Sequence, residues 1–331
     1  MLYATCKRDA NIISVMDSIT GKTHDYSLGE IKSNGLRVYG VLSNSVRYYS
    51  SMSQIVDMYM MRQKLVGSCK FNIEFVKDAE KYSGEGISTL KVYTGCDSCV
   101  VVPDIVEKLG AFLFSENTIV KVIKLHEGII EIGVCCFERC TALESVHIPD
   151  SVKFIGSYAF SYAHISEVRL PSSLAVIAKG SFRGCSLLRH VNIPDSVTKI
   201  AVRAFQKSGL ESINFPSSLV TIEMEAFLGC EKLRSIRLPD GIKYLHKGCF
   251  SQCTSLTKVE LPNSLLIIES EAFCYCNIMS IRLPKNVKLI DLGGLENCYG
   301  LMEIRVSHNA VCANDLRNSD VLSEYIIWED E

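Results

Sequence analysis

The residues best suited to metal or redox chemistry in this 331-residue chain are its fifteen cysteines. Cys96 and Cys99 form a C-x-x-C pair, the spacing found in half of a zinc site or in a dithiol redox centre. A zinc site needs two further ligands, which would have to come from Cys69 and from a histidine elsewhere in the chain. The pair also lacks a thioredoxin-like context. We therefore predict no metal or redox site. Cys96 and Cys99 are the candidate residues that come closest to forming one.

Nucleotide chemistry has one partial motif, Gly21-Lys22-Thr23, which matches the end of a phosphate-binding loop. The full motif needs a glycine five residues earlier, and Met16 stands there. Without that glycine the backbone cannot approach the phosphates, so we interpret the segment as a hairpin turn. None of the seven histidines belongs to an H-E-x-x-H motif, and no G-x-S-x-G motif occurs. The sequence predicts no enzyme activity and no cofactor.

Charge and hydropathy narrow the class of partner further. The formal net charge is -2, whereas nucleic-acid-binding proteins carry a strongly basic surface, so we expect no nucleic-acid partner. No stretch approaches the 18 or so uninterrupted apolar residues of a membrane span. The N-terminal residues lack the apolar region of a secretory leader, which predicts a cytoplasmic protein. The alternative is a cell-surface protein whose signal peptide has been removed.

The elements that position these residues belong to an internal repeat of 22 or 23 residues. All eight prolines occupy one position of the repeat, and His126 fills a skipped position between Pro103 and Pro149. An apolar residue lies eleven residues after each proline and after His126. These residues are Phe114, Phe137, Phe160, Phe182, Phe205, Phe227, Phe250, Phe273 and Leu295. A short unit repeated in this way predicts a solenoid, in which each coil contacts only its neighbours.

One repeat unit follows the pattern L-x-x-V-x-I-P-x-S-V-x-x-I-x-x-x-A-F-x-x-C. The L-x-x-V-x-I part alternates apolar and polar residues and predicts a short strand, which the proline ends because it lacks an N–H group. A second extended segment follows, and the phenylalanine ring is expected to fill the core between coils. Three residues later the chain carries cysteine, alanine or serine, which indicates a small buried group and reduced thiols. The cysteines at this position are Cys140, Cys185, Cys230, Cys253, Cys276 and Cys298.

The I-P-x-S-V, A-F-x-x-C and L-x-x-V blocks resemble the BspA-like, or Treponema-type, leucine-rich repeats. The resemblance covers residues 100–306. It implies a curved, right-handed leucine-rich-repeat solenoid with parallel strands joined by short turns or 3-10 segments. It also implies a protein-binding role, and many members of this family are cell-surface adhesins.

The remaining segments predict a small N-terminal module and two ends for the solenoid. Residues 1–66 are expected to form an α+β module, with strands at 2–7, 12–17 and 36–41 and a helix at 54–65. Residues 67–99, with strands at 71–76 and 89–93, are expected to lead into the repeats. Residues 307–331 are expected to cap the other end, because a solenoid end exposes an apolar section.

Two columns of the repeat present candidate partner-binding residues. The position between the strand's two apolar residues includes Arg169, Arg237, Arg282 and Arg305, which would stack as a polar ladder suited to carboxylates. The position before the inward residue of the second segment includes Phe154, Val176, Tyr244, Ile267 and Leu289. Exposed apolar groups there would mark a partner site. The arginines equally suit a solvated strand face, and the apolar column equally suits a buried position.

These observations predict a non-enzymatic scaffold that binds a partner protein on a repeat face, in some settings to inhibit it. The first alternative is a cell-surface adhesin of the BspA type. The second is an N-terminal domain that uses a metal or a nucleotide, with the repeats as a targeting arm.

Overall fold

The structure is a computed structural model that describes residues 2–6, 12–17, 23–27, 71–76, 87–93, 98–102, 106–312 and 325–329. From residue 71 onward these residues form a β-solenoid whose strands are parallel except at the first pair, and the chain makes about 10 turns. The helix that the described residues contain is a short 3-10 helix, Leu292–Leu295. Within these ranges no helix has the length and apolar content needed to cross a bilayer.

Three N-terminal strands form a separate antiparallel sheet in the order β1 (Leu2–Cys6), β2 (Ile12–Asp17) and β3 (Thr23–Ser27). The strands predicted at 2–7 and 12–17 are β1 and β2. β3 was not predicted, and it pairs antiparallel with β2 in the register Met16↔Thr23. The turn predicted at Gly21 and Lys22 lies outside the described residues. The predicted strand at 36–41 and helix at 54–65 lie outside the described residues.

The solenoid begins with β4 (Phe71–Val76) and β5 (Ile87–Tyr93), which pair antiparallel. The later strands are β6 (Cys99–Val101), β7 (Lys108–Leu109), β8 (Val122–Lys124), β9 (Glu131–Ile132), β10 (Ser145–His147), β11 (Phe154–Ile155), β12 (Glu167–Arg169), β13 (Val176–Ile177), β14 (Lys199–Ile200), β15 (Thr221–Ile222), β16 (Ser235–Arg237), β17 (Tyr244–Leu245), β18 (Lys258–Glu260), β19 (Ile267–Ile268), β20 (Ser280–Arg282), β21 (Leu289–Ile290), β22 (Glu303–Ser307) and β23 (Ile326–Glu329).

These strands form two ladders along the solenoid, each built of parallel rungs one coil apart. The first ladder contains β6, β8, β10 and β12, then the bridged residues Asn192 and Asn214, and then β16, β18, β20, β22 and β23. The second ladder contains β5, β7, β9 and β11, then β13 to β15, and then β17, β19 and β21. β4 pairs antiparallel to the first rung of the second ladder, so it covers the edge at which parallel stacking would otherwise begin.

The core is a continuous stack of the eight repeat phenylalanines. Adjacent ring centroids lie 5.0 to 5.7 Å apart, and adjacent ring planes differ by 1 to 14°. The rings are almost fully buried, which confirms the predicted core position. Tyr93 extends the stack at its N-terminal end, 5.1 Å from Phe114. The coil spacing therefore matches the separation at which parallel aromatic rings pack.

The I-P-x-S-V block closes a turn and ties it to the preceding coil. The carbonyl of Pro149 accepts a hydrogen bond from the Val152 N–H at 3.1 Å, and the His126 carbonyl accepts one from Ile129 in the same way. His126 can replace a proline because its carbonyl closes the turn in the same way, and its Nδ1 accepts a further hydrogen bond from the Gly128 N–H at 3.0 Å. The Ser151 hydroxyl donates to the Ile129 carbonyl of the preceding coil at 2.7 Å. The equivalent serines that donate across a coil are Ser173, Ser196, Ser218 and Ser264.

The third side of each coil is a turn segment around the phenylalanine, for example residues 157–162. Residues two positions before and after the phenylalanine have positive φ, including Tyr158 at 57° and Tyr162 at 55°. This left-handed conformation is costly for a non-glycine residue. Hydrogen bonds between coils offset the cost, since the N–H groups of Tyr158 and Tyr162 donate to the Lys179 and Arg183 carbonyls at 2.8 and 2.6 Å.

Gly133 → Ala tests how closely the coils approach one another. An ideal Cβ at Gly133 would lie 2.6 Å from the carbonyl carbon of Gly110 and 2.7 Å from the amide nitrogen of Ala111. Because these are backbone atoms, we expect the substitution to lower the free energy of unfolding by about 1–3 kcal/mol, measured by urea denaturation. Gly293→Ala is the control, since its nearest obstacle is the Asp291 carboxylate at 3.4 Å. Equal losses in the two variants would contradict the expectation.

Candidate functional site

The outward position of the first ladder carries the predicted polar column. Cα pairs in register join His147 to Arg169, Arg237 to Glu260, and Arg282 to Arg305. Asn192 and Asn214 bridge the middle coils. These side chains alternate with buried ones on the same strands, so the column faces the solvent along this ladder.

The arginines of this column each face a carboxylate of the same chain. The pairs are Arg169 with Asp150 at 3.3 Å, Arg237 with Glu260 at 3.6 Å, Arg282 with Glu329 at 2.9 Å, and Arg305 with Glu303 at 2.8 Å. The guanidinium groups remain largely exposed, with 86% of the Arg237 side chain accessible. Exposed pairs of this kind contribute little to stability, but they leave the arginines partly neutralised before any partner arrives.

Local hydrogen bonds favour the ionised form of two of these carboxylates, Asp150 and Glu260. The Ser172 N–H donates to Asp150 at 2.7 Å and, together with the charge of Arg169, lowers the pKa of the Asp150 carboxyl. A hydrogen bond from Lys258 lowers the pKa of Glu260. The partial neutralisation of Arg169 and Arg237 therefore persists well below neutral pH.

The outward position of the second ladder carries the apolar column. The sequence left open whether this column is exposed or buried, and the structure places it outward. Phe154 is 68% exposed and Leu289 is 52% exposed, while Val176 and Tyr244 are also exposed and Ile267 is half-buried. The next residue on each strand is buried in the core instead. Lys199 and Thr221 occupy the two middle rungs.

The cysteines of the repeat donate hydrogen bonds to the core. Each Sγ lies 3.0 to 3.3 Å from a phenylalanine carbonyl of the preceding coil, as Cys230 does with Phe205. Burial raises the pKa of the Cys140 and Cys230 thiols to about 12. A protonated, buried thiol is a poor nucleophile and a poor metal ligand, so these cysteines serve the fold.

The structure describes one of the two cysteines of the C-x-x-C pair. Cys99 is exposed at the start of β6, and Cys96 lies outside the described residues. The twelve cysteines from Cys99 to Cys312 are all free thiols. Among the same residues, no three His, Cys, Asp or Glu side chains are grouped so that they could hold a metal ion.

A cleft of about 660 Å³ on the turn segments was not predicted from the sequence. Tyr158 and Tyr162 line it, and the Arg183 guanidinium lies 5.4 Å from the Tyr162 ring centroid. Gly180 and Gly184 make room for the two tyrosine rings, because a Cβ at either glycine would collide with them. The 22-residue spacing of the Tyr158–Gly180 and Tyr162–Gly184 pairs was the pattern that could have revealed this packing.

One comparison with known proteins identifies the repeat class. The family model described as "BspA type Leucine rich repeat region" matches residues 107–234 and 220–315, with 6 copies. Similar solved structures include a leucine-rich repeat protein from Bacteroides ovatus, with 20% identity, a TM-score of 0.49, and coverage of 73% of this chain and 70% of that one. The T. pallidum leucine-rich repeat protein has 23% identity, a TM-score of 0.45, and coverage of 70% and 87%. Pneumococcal vaccine antigen PcpA has 16% identity, a TM-score of 0.48, and coverage of 92% and 82%. No curated protein matches the chain at a significant level.

Proposed function

Because this chain belongs to the family of BspA-type leucine-rich repeats, we propose that it is a non-enzymatic scaffold that binds a partner protein along an outward face of the solenoid. The observation that carries the proposal is the apolar column of the second ladder. Phe154, Val176 and Tyr244 are exposed on the three successive sheets of this ladder, and Leu289 lies on the same sheet as Tyr244. Each of these residues could have been polar without cost to the core. Exposed apolar side chains aligned in this way are typical of a protein interface.

The scaffold binds through side chains that are already in place. Each outward residue is fixed to its neighbours by the rungs of a ladder, so the surface loses little backbone freedom when a partner docks. The arginine column offers a second surface, on which guanidinium groups exchange their own carboxylates for those of a partner. A partner bound along either face would be blocked sterically, which is the basis for an inhibitory role.

We also propose a reducing, cytoplasmic location for the scaffold. Six repeat cysteines act as thiol donors to phenylalanine carbonyls, which suits a compartment that keeps thiols reduced. Recovery of the protein at the cell surface after fractionation would contradict this location and would favour the adhesin alternative.

Affinity capture with face-specific variants tests the proposed function. The immobilised wild-type chain is expected to enrich a small set of proteins from a lysate of the source cells, quantified by mass spectrometry. Arg237→Glu/Arg282→Glu alters the first ladder, and Phe154→Ser/Leu289→Ser alters the second. We expect at least one of these variants to reduce recovery of the same proteins by about tenfold, because residues at the centre of an interface carry most of its energy.

The matched control is Lys207→Glu/Lys232→Glu, which changes two exposed lysines away from both columns. It is expected to recover the same proteins as the wild type. Circular dichroism of each variant establishes that it is folded. Equal recovery of every protein by all three variants would overturn the proposal.

A further inference from the structure

The lysines of the second ladder fall into two groups. Lys108 and Lys199 already pair with Glu131 and Glu223, at 2.9 and 2.6 Å. On the second ladder, Lys153, Lys243 and Lys288 are exposed and form no ion pair with any residue that the structure describes. Exposed cations that have no partner among the described residues are available to form ion pairs with another molecule.

The carboxylates nearest to this face are already engaged. Glu223 pairs with Lys199 at 2.6 Å and accepts a hydrogen bond from the Val202 N–H at 3.0 Å. Glu269 lies 3.0 Å from the His246 ring and accepts a hydrogen bond from the Lys247 N–H at 2.8 Å. Neither carboxylate forms a pair with the three lysines.

Each unpaired lysine comes directly before an exposed apolar residue. Lys153 precedes Phe154, Lys243 precedes Tyr244, and Lys288 precedes Leu289. Tyr244, Ile267 and Leu289 lie on adjacent rungs in register, so two of the lysines border one apolar strip. We call this surface the lysine–apolar face. It consists of Lys153, Phe154, Val176, Lys243, Tyr244, Ile267, Lys288 and Leu289.

The dimensions of the face suit a short extended polypeptide. Six rung steps separate Phe154 from Leu289, and at about 4.8 Å each they span about 29 Å. An extended segment of about nine residues covers that length at about 3.3 Å per residue. Such a segment alternates its side chains between two sides, which allows carboxylates and apolar groups to meet lysines and apolar residues in turn.

We propose that the lysine–apolar face docks an acidic segment of a partner protein that also carries apolar side chains. This proposal rests on the proposed scaffold function and names both the face and the chemistry of its partner. Carboxylates of the partner pair with the three lysines, and its apolar groups cover Tyr244, Ile267 and Leu289. Glu223 and Glu269 favour a polypeptide over an anionic membrane, because a bilayer would repel them whereas a polypeptide can omit charge there.

Fluorescence anisotropy with synthetic peptides tests this proposal. The probe is a labelled peptide of about twelve residues in which glutamate and leucine alternate, long enough to cover the face. Replacing leucine by serine removes its apolar groups, and replacing glutamate by lysine reverses its charge. The wild-type chain is expected to bind the glutamate–leucine peptide and to bind both altered peptides about tenfold more weakly or worse, since each lacks one of the two kinds of contact.

The decisive variant is Lys153→Glu/Lys243→Glu/Lys288→Glu, which reverses the charge of the face. It is expected to weaken binding of the glutamate–leucine peptide by about tenfold or more, because three attractive pairs become repulsive. Lys179→Glu/Lys207→Glu/Lys232→Glu is the matched control. It makes the same change in net charge at exposed lysines on two turn segments and a connecting loop, and should bind as the wild type does.

Several results would overturn the proposal. These are no binding of the glutamate–leucine peptide by the wild type, an equal loss of affinity in the control variant, or undiminished binding of the glutamate–serine peptide. Co-sedimentation with phosphatidylserine vesicles without peptide binding would replace it by a membrane-docking face. A different result is a captured partner that fails to bind Arg237→Glu/Arg282→Glu and still binds Lys153→Glu/Lys243→Glu/Lys288→Glu. In that case the scaffold function stands and this proposal fails.

Discussion

Replacing Phe205 by alanine is expected to lower the free energy of unfolding by about 3–5 kcal/mol. The Phe205 ring is fully buried, with neighbouring ring centroids at 5.4 Å on the Phe182 side and 5.3 Å on the Phe227 side. Truncation removes both stacking contacts and leaves a cavity in the middle of the core. The coils on either side cannot close it, because hydrogen bonds between coils fix their spacing, including that from the Phe205 N–H to the Ala226 carbonyl at 2.8 Å.

Phe154→Ala provides the matched control for this prediction. It makes the same chemical change at a ring that is 68% exposed on the second ladder, so it should change stability by less than about 0.5 kcal/mol. Urea unfolding followed by far-ultraviolet circular dichroism measures both variants. Fluorescence of Trp328, on the last rung of the first ladder, reports whether the C-terminal coils unfold in the same transition. Similar losses in the two variants would refute the assignment of the phenylalanine stack as the core.

The solenoid could be predicted because one environment recurs many times along the chain. A core environment in an ordinary globular protein occurs once along the sequence. Here each column has the same environment in every coil, so its residue preference recurs. Phenylalanine recurs with so few exceptions because each ring packs against the same ring one coil away. The proline and serine columns follow from the turn that each coil must close and the carbonyl that it must satisfy in the preceding coil.

The left-handed residues of the turn segments could not be predicted from the sequence. Tyr158, Arg203 and Glu225 occupy one such column, and none of these residue types favours positive φ. The conformation is stabilised by hydrogen bonds between the backbones of adjacent coils, and backbone groups leave no trace in residue type. Glycine appears in this column at Gly180 and Gly248, but it is too infrequent to identify the conformation.

The faces of the solenoid could be predicted in part. Alternation of apolar and polar residues identified which positions point outward on the first ladder, because that pattern has the strand period. It could not identify the partners of those residues. Arg169 pairs with Asp150 in the preceding connection, and Arg282 pairs with Glu329 on the last rung. Such contacts depend on side-chain reach across coils, so neither the paired arginines nor the unpaired lysines could be recognised before the structure.

Alkaline pH is expected to destabilise the solenoid through its buried thiols. Burial raises the pKa of Cys140 and Cys230 from 9.0 to about 12. In the unfolded chain these thiols lose their protons above pH 9, whereas in the folded chain they keep them up to about pH 12. Between these values the unfolded state binds fewer protons, so stability is fully present below pH 9 and is lost as the pH rises toward 12. Each thiol contributes a loss of about 1.4 kcal/mol per pH unit, or about 3 kcal/mol for the two.

Cys230→Ala isolates the thiol contribution from that of other groups that titrate at alkaline pH. Alanine already occupies this column at Ala163, where it is fully buried, so the variant should fold. At neutral pH it loses the hydrogen bond to the Phe205 carbonyl, which costs about 1 kcal/mol. Above pH 9 its stability should fall less steeply than that of the wild type, by about 1.4 kcal/mol per pH unit, so that the two curves cross near about pH 10.

Ser208→Ala is the control for this comparison, because it changes the same column without removing an ionisable thiol. Ser208 lies 3.3 Å from the Cys230 Sγ, so the variant alters the packing of the column but leaves both titrating cysteines in place. Urea denaturation under reducing conditions, at pH values from about 8 to about 11, measures all three proteins across the window in which the thiols ionise. Parallel curves for the wild type and Cys230→Ala would show that Cys230 titrates alike in the folded and unfolded chain. The thiol column would then be open to water, and the close packing of the coils around it would have to be abandoned.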